Sequence, residues 1–101
     1  LWTRPRTPMR IVGREKLDQF CAAHADCRKW IGTWVVDVGG SRWRTPQDIK
    51  DKYASASMLE RNTVIFNVRG NEYRLVTVVA YQTGVVVVEW IGTHTEYTKK
   101  Y

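Results

Sequence analysis

The sequence has no apolar run approaching the roughly 20 residues that a bilayer demands of a helix. Its opening, Leu1–Pro8 (LWTRPRTP), lacks the apolar stretch of a secretory signal. Cysteine is scarce: Cys21 and Cys27 are the only two, which fits a reducing compartment and makes the cytoplasm the expected location. With His24 they spell C-x2-H-x2-C, half of a zinc pattern. Three ligands with no second cluster do not close a tetrahedral structural site. Cys21 and His24 also fall on the apolar stripe of an expected helix, where cysteine behaves as a small hydrophobe. There is no Asp/Glu/His cluster with metal spacing, so no cofactor is expected. Internal repeats and low-complexity stretches are lacking too. Acid is in deficit, with ten Asp and Glu against sixteen Lys and Arg.

What is present is one domain's worth of chain. At 101 residues, 44% hydrophobic and 26% charged, the sequence builds a single core and is not disordered. The net charge of +6 and the pI near 9.6 suit a polyanionic partner such as nucleic acid or a ribosome surface, or serve solubility alone. Met9 opens a clean strand pattern, Met9-Arg10-Ile11-Val12. Residues 1–8 are therefore expected to be an upstream extension and residues 9–101 the domain. Without Arg4 and Arg6 the charge falls from +6 to +4 and stays basic.

Leu17, Phe20, Cys21 and His24 follow the i, i+3, i+4, i+7 spacing of an amphipathic helix over about residues 14–25. Asp26 can cap a second helix on Ile31, Trp34, Val35 and Val38, ended by Gly39-Gly40. The tight joint makes the two helices neighbours, an antiparallel pair. Thr45-Pro46-Gln47-Asp48 starts a short helix to about Tyr53, and Ser55-Ala56-Ser57 reads as a turn. Thr63–Val68, Glu72–Tyr81 and Val85–Ile91 are strands joined by Arg69-Gly70-Asn71 and Gln82-Thr83-Gly84. The expected fold is α+β: an N-terminal strand and two or three helices on one face of an antiparallel sheet ending in a three-strand meander. The last two strands are apolar on both faces, so another segment or a partner should cover the second face.

The meander places chemistry. A three-residue loop at Gln82-Thr83-Gly84 sets Arg74 against Gly92; a two-residue loop sets it against Thr93. Either register brings Arg74 beside Gly92–Tyr97, at a sheet end rimmed by Arg69, Asn71, Lys99 and Lys100. Arginine can hold phosphate and stabilise developing charge, histidine can move protons near neutrality, and tyrosine can stack a base or donate a proton. That combination suits RNA cleavage without metal. Each residue also has a plain role. Arg74 can pair with Glu72 or Glu89, His94 can bond backbone, Tyr97 can anchor a tail, and Lys99-Lys100 can be a solvated end. Trp30, Trp34 and Trp90 read as core, whereas Trp43, between Arg42 and Arg44, reads as the exposed tryptophan.

From Met9 to Tyr101 the chain resembles the HigB-type toxins of the RelE superfamily, through MRIV, RWRTPQDIKDKYASASML, IFNVRGNEYRLVTVVAY and EWIGTHTEY. The resemblance implies a RelE-like fold and a toxin that cleaves mRNA, often on the ribosome. It also implies neutralisation by HigA, a helix-turn-helix antitoxin. By this likeness Arg74 contacts the scissile phosphate, His94 and Tyr97 belong to an H-x-E-Y segment, and Asn71 belongs to the G-N turn. RelE itself carries two lysines where this chain has Ile65 and Asn67, which shifts proton transfer toward His94. Thr98 stands where the family often has Asp. Asn67, Arg69, Asn71, Lys99 and Lys100 complete the expected RNA-binding set. The alternatives are a non-catalytic RNA- or ribosome-binding module and an interaction protein that only docks a partner.

Overall fold

The computed structural model describes residues 9–101; the expected extension over residues 1–8 lies outside them. The chain begins with β1 (Arg10–Val12) and turns at Gly13 into α1 (Arg14–Ala23). Gly13 holds φ +93, and a Cβ there would stand 2.8 Å from the Val88 carbonyl oxygen, so only glycine makes this turn against the sheet. α1 buries Leu17 and Cys21. A 3-10 turn, Ala25–Cys27, leads into α2 (Arg28–Gly39), which buries Ile31, Trp34 and Val38 at the expected spacing. Asp26 does not cap α2, whose N-cap is Cys27; it lies in the 3-10 turn and points elsewhere.

α3 (Pro46–Lys52) starts where Thr45-Pro46 foretells it, with a capping box between Thr45 and Asp48. Ser57 is not part of a turn but opens a short strand, β2 (Ser57–Leu59). The meander follows as β3 (Thr63–Val68), β4 (Tyr73–Ala80) and β5 (Val85–Thr93). A C-terminal helix, α4 (His94–Lys100), follows β5 where the sequence reading assigns no element, and Thr93 and Glu96 form its capping box.

The sheet order is β1-β5-β4-β3-β2. The α+β architecture stands as expected, with one refinement: β1 pairs β5 in parallel, so the sheet is mixed. Leu17, Ile31, Trp34, Val38 and Ile49 from α1, α2 and α3 pack with Val64, Phe66, Leu75, Val79, Val86 and Val88 into one core. Trp43 corrects the sequence reading. It is only 4% exposed and stacks on Phe66 at 6.4 Å, although both flanking arginines are exposed.

The β4–β5 hairpin decides where the site lies. Ala80 pairs with Val85 across a four-residue turn, longer than either loop expected. A register shift between Val76 and Thr77 skips Glu89, and beyond it Arg74 pairs with Gly92. The bulge thus cancels the longer loop. Lys16 of α1 secures the bulge by donating to the Val88 and Glu89 carbonyls, at 3.4 and 3.1 Å.

Candidate functional site

Side chains alternate along β4. Tyr73, Leu75 and Val79 enter the core under the helices, which places Arg74 and Val76 on the opposite face. Across that face, Asn67 of β3, Arg74 of β4 and Gly92 of β5 form one row. Ile65, Val76 and Trp90 form the next. Ile65 and Asn67, the positions at which RelE carries lysines, therefore do face the Arg74 side, and here Ile65 is buried.

Arg74 is half-buried, and among the described residues its guanidinium makes one bond, from Nη1 to the Tyr73 carbonyl at 3.3 Å. Neither Glu72 nor Glu89 pairs with it, and no carboxylate does among the described residues. A half-buried cation without a counter-charge is unfavourable unless an anion comes to it.

The end of β5 is built around Gly92. A Cβ at this position would run into the Trp90 ring and come within 3.0 Å of Glu96 Oε1. The indole therefore lies across Gly92, next to the Arg74 row. α4 lays Tyr97 and Tyr101 on this ring, with centroids 6.3 and 5.8 Å from it, and the two tyrosines stack at 5.1 Å. Trp90 is thus not a core residue; it is half-buried on the Arg74 face. This aromatic group partly covers the second face, as its apolar character required.

His94 opens α4. Its backbone N–H donates to the Glu72 carbonyl at 3.1 Å, while its exposed imidazole has no hydrogen bond or ring contact among the described residues. The main chain thus does the anchoring and leaves the ring free. Glu96 is occupied by the cap, and the Thr93 amide holds its carboxyl below the ordinary range. Lys99 and Lys100 are exposed on the last turn, with Lys100 Nζ 5.7 Å from the Tyr101 ring centroid. Asn67 Nδ2 donates to the Ser55 carbonyl at 3.4 Å, and Asn71 is exposed in the β3–β4 turn.

Arg69 is the exception. Its Nη1 lies 2.7 Å from Asp26 Oδ2, and Tyr73 Oη donates to Asp26 Oδ1 at 2.7 Å. The Tyr73 bond and the Arg69 charge hold the Asp26 carboxyl low, while the bond to Asp26 pushes Tyr73 up to about 12. Asp26 therefore ties the 3-10 turn to the β3–β4 turn through Arg69 and Tyr73.

The cysteines form a different association. Cys21 Sγ and Cys27 Sγ are 3.4 Å apart, both thiols are buried, and burial pushes Cys27 up to about 12. His24 stacks on Phe20, with ring centroids 4.1 Å apart.

Sequence reasoning named Arg74, His94 and Tyr97 as candidates and did not anticipate that Trp90 and Tyr101 join Tyr97 at this sheet end. The usable signals were the small residue two positions after Trp90, on the same strand face, and the Thr-x-x-Glu cap that starts α4.

The fold is α+β, and one sheet end brings together an arginine without a carboxylate partner among the described residues, an exposed histidine and an aromatic group. The chain belongs to the HigB toxin family, the RelE-like toxic component of a toxin–antitoxin system, whose profile matches residues 27–100. A comparison with curated proteins finds no match. The chain is accordingly a toxin with an antitoxin as its partner. No helix among the described residues is long and apolar enough to cross a membrane.

Proposed function

We propose that this toxin is a cytoplasmic endoribonuclease that cleaves mRNA on the ribosome, without metal, and is neutralised by a HigA-type helix-turn-helix antitoxin. The observation that carries this reading is Arg74: half-buried, without a carboxylate, and centred in the row between Asn67 and Gly92. In the proposed reaction the 2′-hydroxyl loses its proton and attacks the adjacent phosphorus. Arg74 stabilises the charge on the phosphorane, and the 5′-oxygen leaves with a proton. His94 and Tyr97 are the proton-transfer pair. The exposed Asn71, Lys99 and Lys100 hold the strand with Asn67, while Arg69 fixes the turn that carries Asn71. The domain is residues 9–101.

The test is cleavage of an RNA that needs no ribosome, in excess chelator. The products should carry a 5′-hydroxyl and a 2′,3′-cyclic phosphate or 3′-phosphate. Arg74→Ala should stay folded and lose about 10²–10³ in rate. A 5′-phosphate product, or full activity in a folded Arg74→Ala protein, overturns the reading.

A further inference from the structure

The family profile defines an antitoxin partner but no surface that receives it. A cavity of about 500 Å³ lies between α2, Tyr53 and the β3–β4 turn, a size ordinary for a binding pocket. It is on the helix side of the sheet, away from the Arg74 face. Its walls are Trp30, half-buried and 6.1 Å from Tyr53, and Trp34, which is 1% exposed. The Trp34 Nε1 is the buried side-chain polar atom left without a hydrogen-bond partner among the described residues. Buried donors are almost always paired, so this one marks a place where an acceptor is wanted.

The rim says what should carry the acceptor. Both acids there are already neutralised. Asp26 accepts from Arg69 and Tyr73; Asp37 accepts from Tyr53 Oη at 2.8 Å and faces Lys52 at 3.5 Å. Lys29 is on the rim, exposed and in no ion pair among the described residues. The residual charge at the mouth is therefore positive, on a chain of net +6. One unpaired cation beside two acids is a poor cradle for a phosphate backbone, which favours a peptide over RNA.

We infer that this cavity is the docking site of the antitoxin. It receives an apolar side chain from a short apolar–acidic segment, whose carbonyl accepts from Trp34 Nε1 and whose carboxylate meets Lys29. The inference needs only the antitoxin partner, so its failure leaves the RNA-cleavage reading untouched.

Thr33 is exposed on α2 and lines the same cavity, so a larger side chain there fills it from outside the core. The whole chain is produced in the Arg74→Ala background, so that it can be made without its antitoxin, and the cognate antitoxin is titrated into it. Thr33→Trp should bind about tenfold more weakly or worse, and Lys29→Glu severalfold more weakly, a loss that shrinks as salt rises. Lys29 is exposed, so its variant keeps the fold even where Thr33→Trp does not. The Trp34 indole N–H resonance should move on saturation with antitoxin and stay in place with single-stranded RNA. Parental antitoxin affinity in both variants overturns the inference. So does an indole signal that answers RNA and ignores the antitoxin, which would give the cavity to nucleic acid.

Discussion

Two residues at the sheet end, one exposed and one buried, should differ in outcome when substituted. His94 exposes its ring and anchors α4 through its main chain. His94→Gln should therefore leave the melting temperature unchanged and RNA affinity intact. Its single-turnover cleavage should fall by about 10²–10⁴, with a limb lost from the pH–rate profile. A destabilised variant with an unaltered profile would pass the proton-transfer role to Tyr97. Gly92 behaves in the opposite way. Any Cβ there displaces the Trp90 ring, so Gly92→Ala should lower stability by about 1–3 kcal/mol and change tryptophan fluorescence. Denaturant titration followed by fluorescence measures both on one sample. Arg74 was legible because register is a matter of counting from a turn. The counting survived a wrong loop length only because the skipped Glu89 compensates. Trp43 misled because its neighbours are both arginine, yet exposed neighbours do not fix where a ring packs, and this one lies on Phe66.

Among the elements, those with a repeating pattern or a complete cap could be read in advance. α2 shows its 3.6-residue period, α3 its Thr-Pro start, and β3 to β5 their branched residues between turns. β1 was legible as a strand but not as a parallel neighbour of β5, since three residues carry no trace of their partner. α4 has only Tyr97 for an apolar side, with Tyr101 just past its end, too little for a period, and its helicity rests on the Thr93–Glu96 cap and the packing on Trp90. The 3-10 turn depends on Asp26, which supplies one acceptor to Tyr73 and another to Arg69. A carboxyl held low in the folded state stabilises it above its unfolded pKa, and that stability is lost as pH falls through the folded value. The parent should therefore lose more stability between about pH 7 and about pH 3 than Asp26→Asn does. Urea midpoints at the two pH values give the comparison, and equal losses would remove Asp26 from the acid response.

On the scale of the whole molecule, the two sides of the sheet carry different surfaces: an open row around Arg74 and an aromatic cavity behind it. RNA affinity should fall steeply with salt, by about 0.7 logarithmic unit per phosphate contact for each decade of salt. Lys99→Ala and Lys100→Ala should each flatten that slope. Arg69→Ala should flatten it less, because its charge already faces Asp26. Filter binding across a salt series distinguishes the three. The parallel pairing of β1 with β5 also bears on how the cell survives making this protein. Arg10 to Val12 have no strand partner until Val85 to Val87 have been synthesised. The row that holds Arg74 is likewise incomplete until Gly92 arrives. A chain emerging from the ribosome therefore stays an unfinished sheet until residues 85–92 have been made. Synthesis must pass Gly92 before the sheet can close around Arg74, so the order of translation itself delays the appearance of a folded toxin.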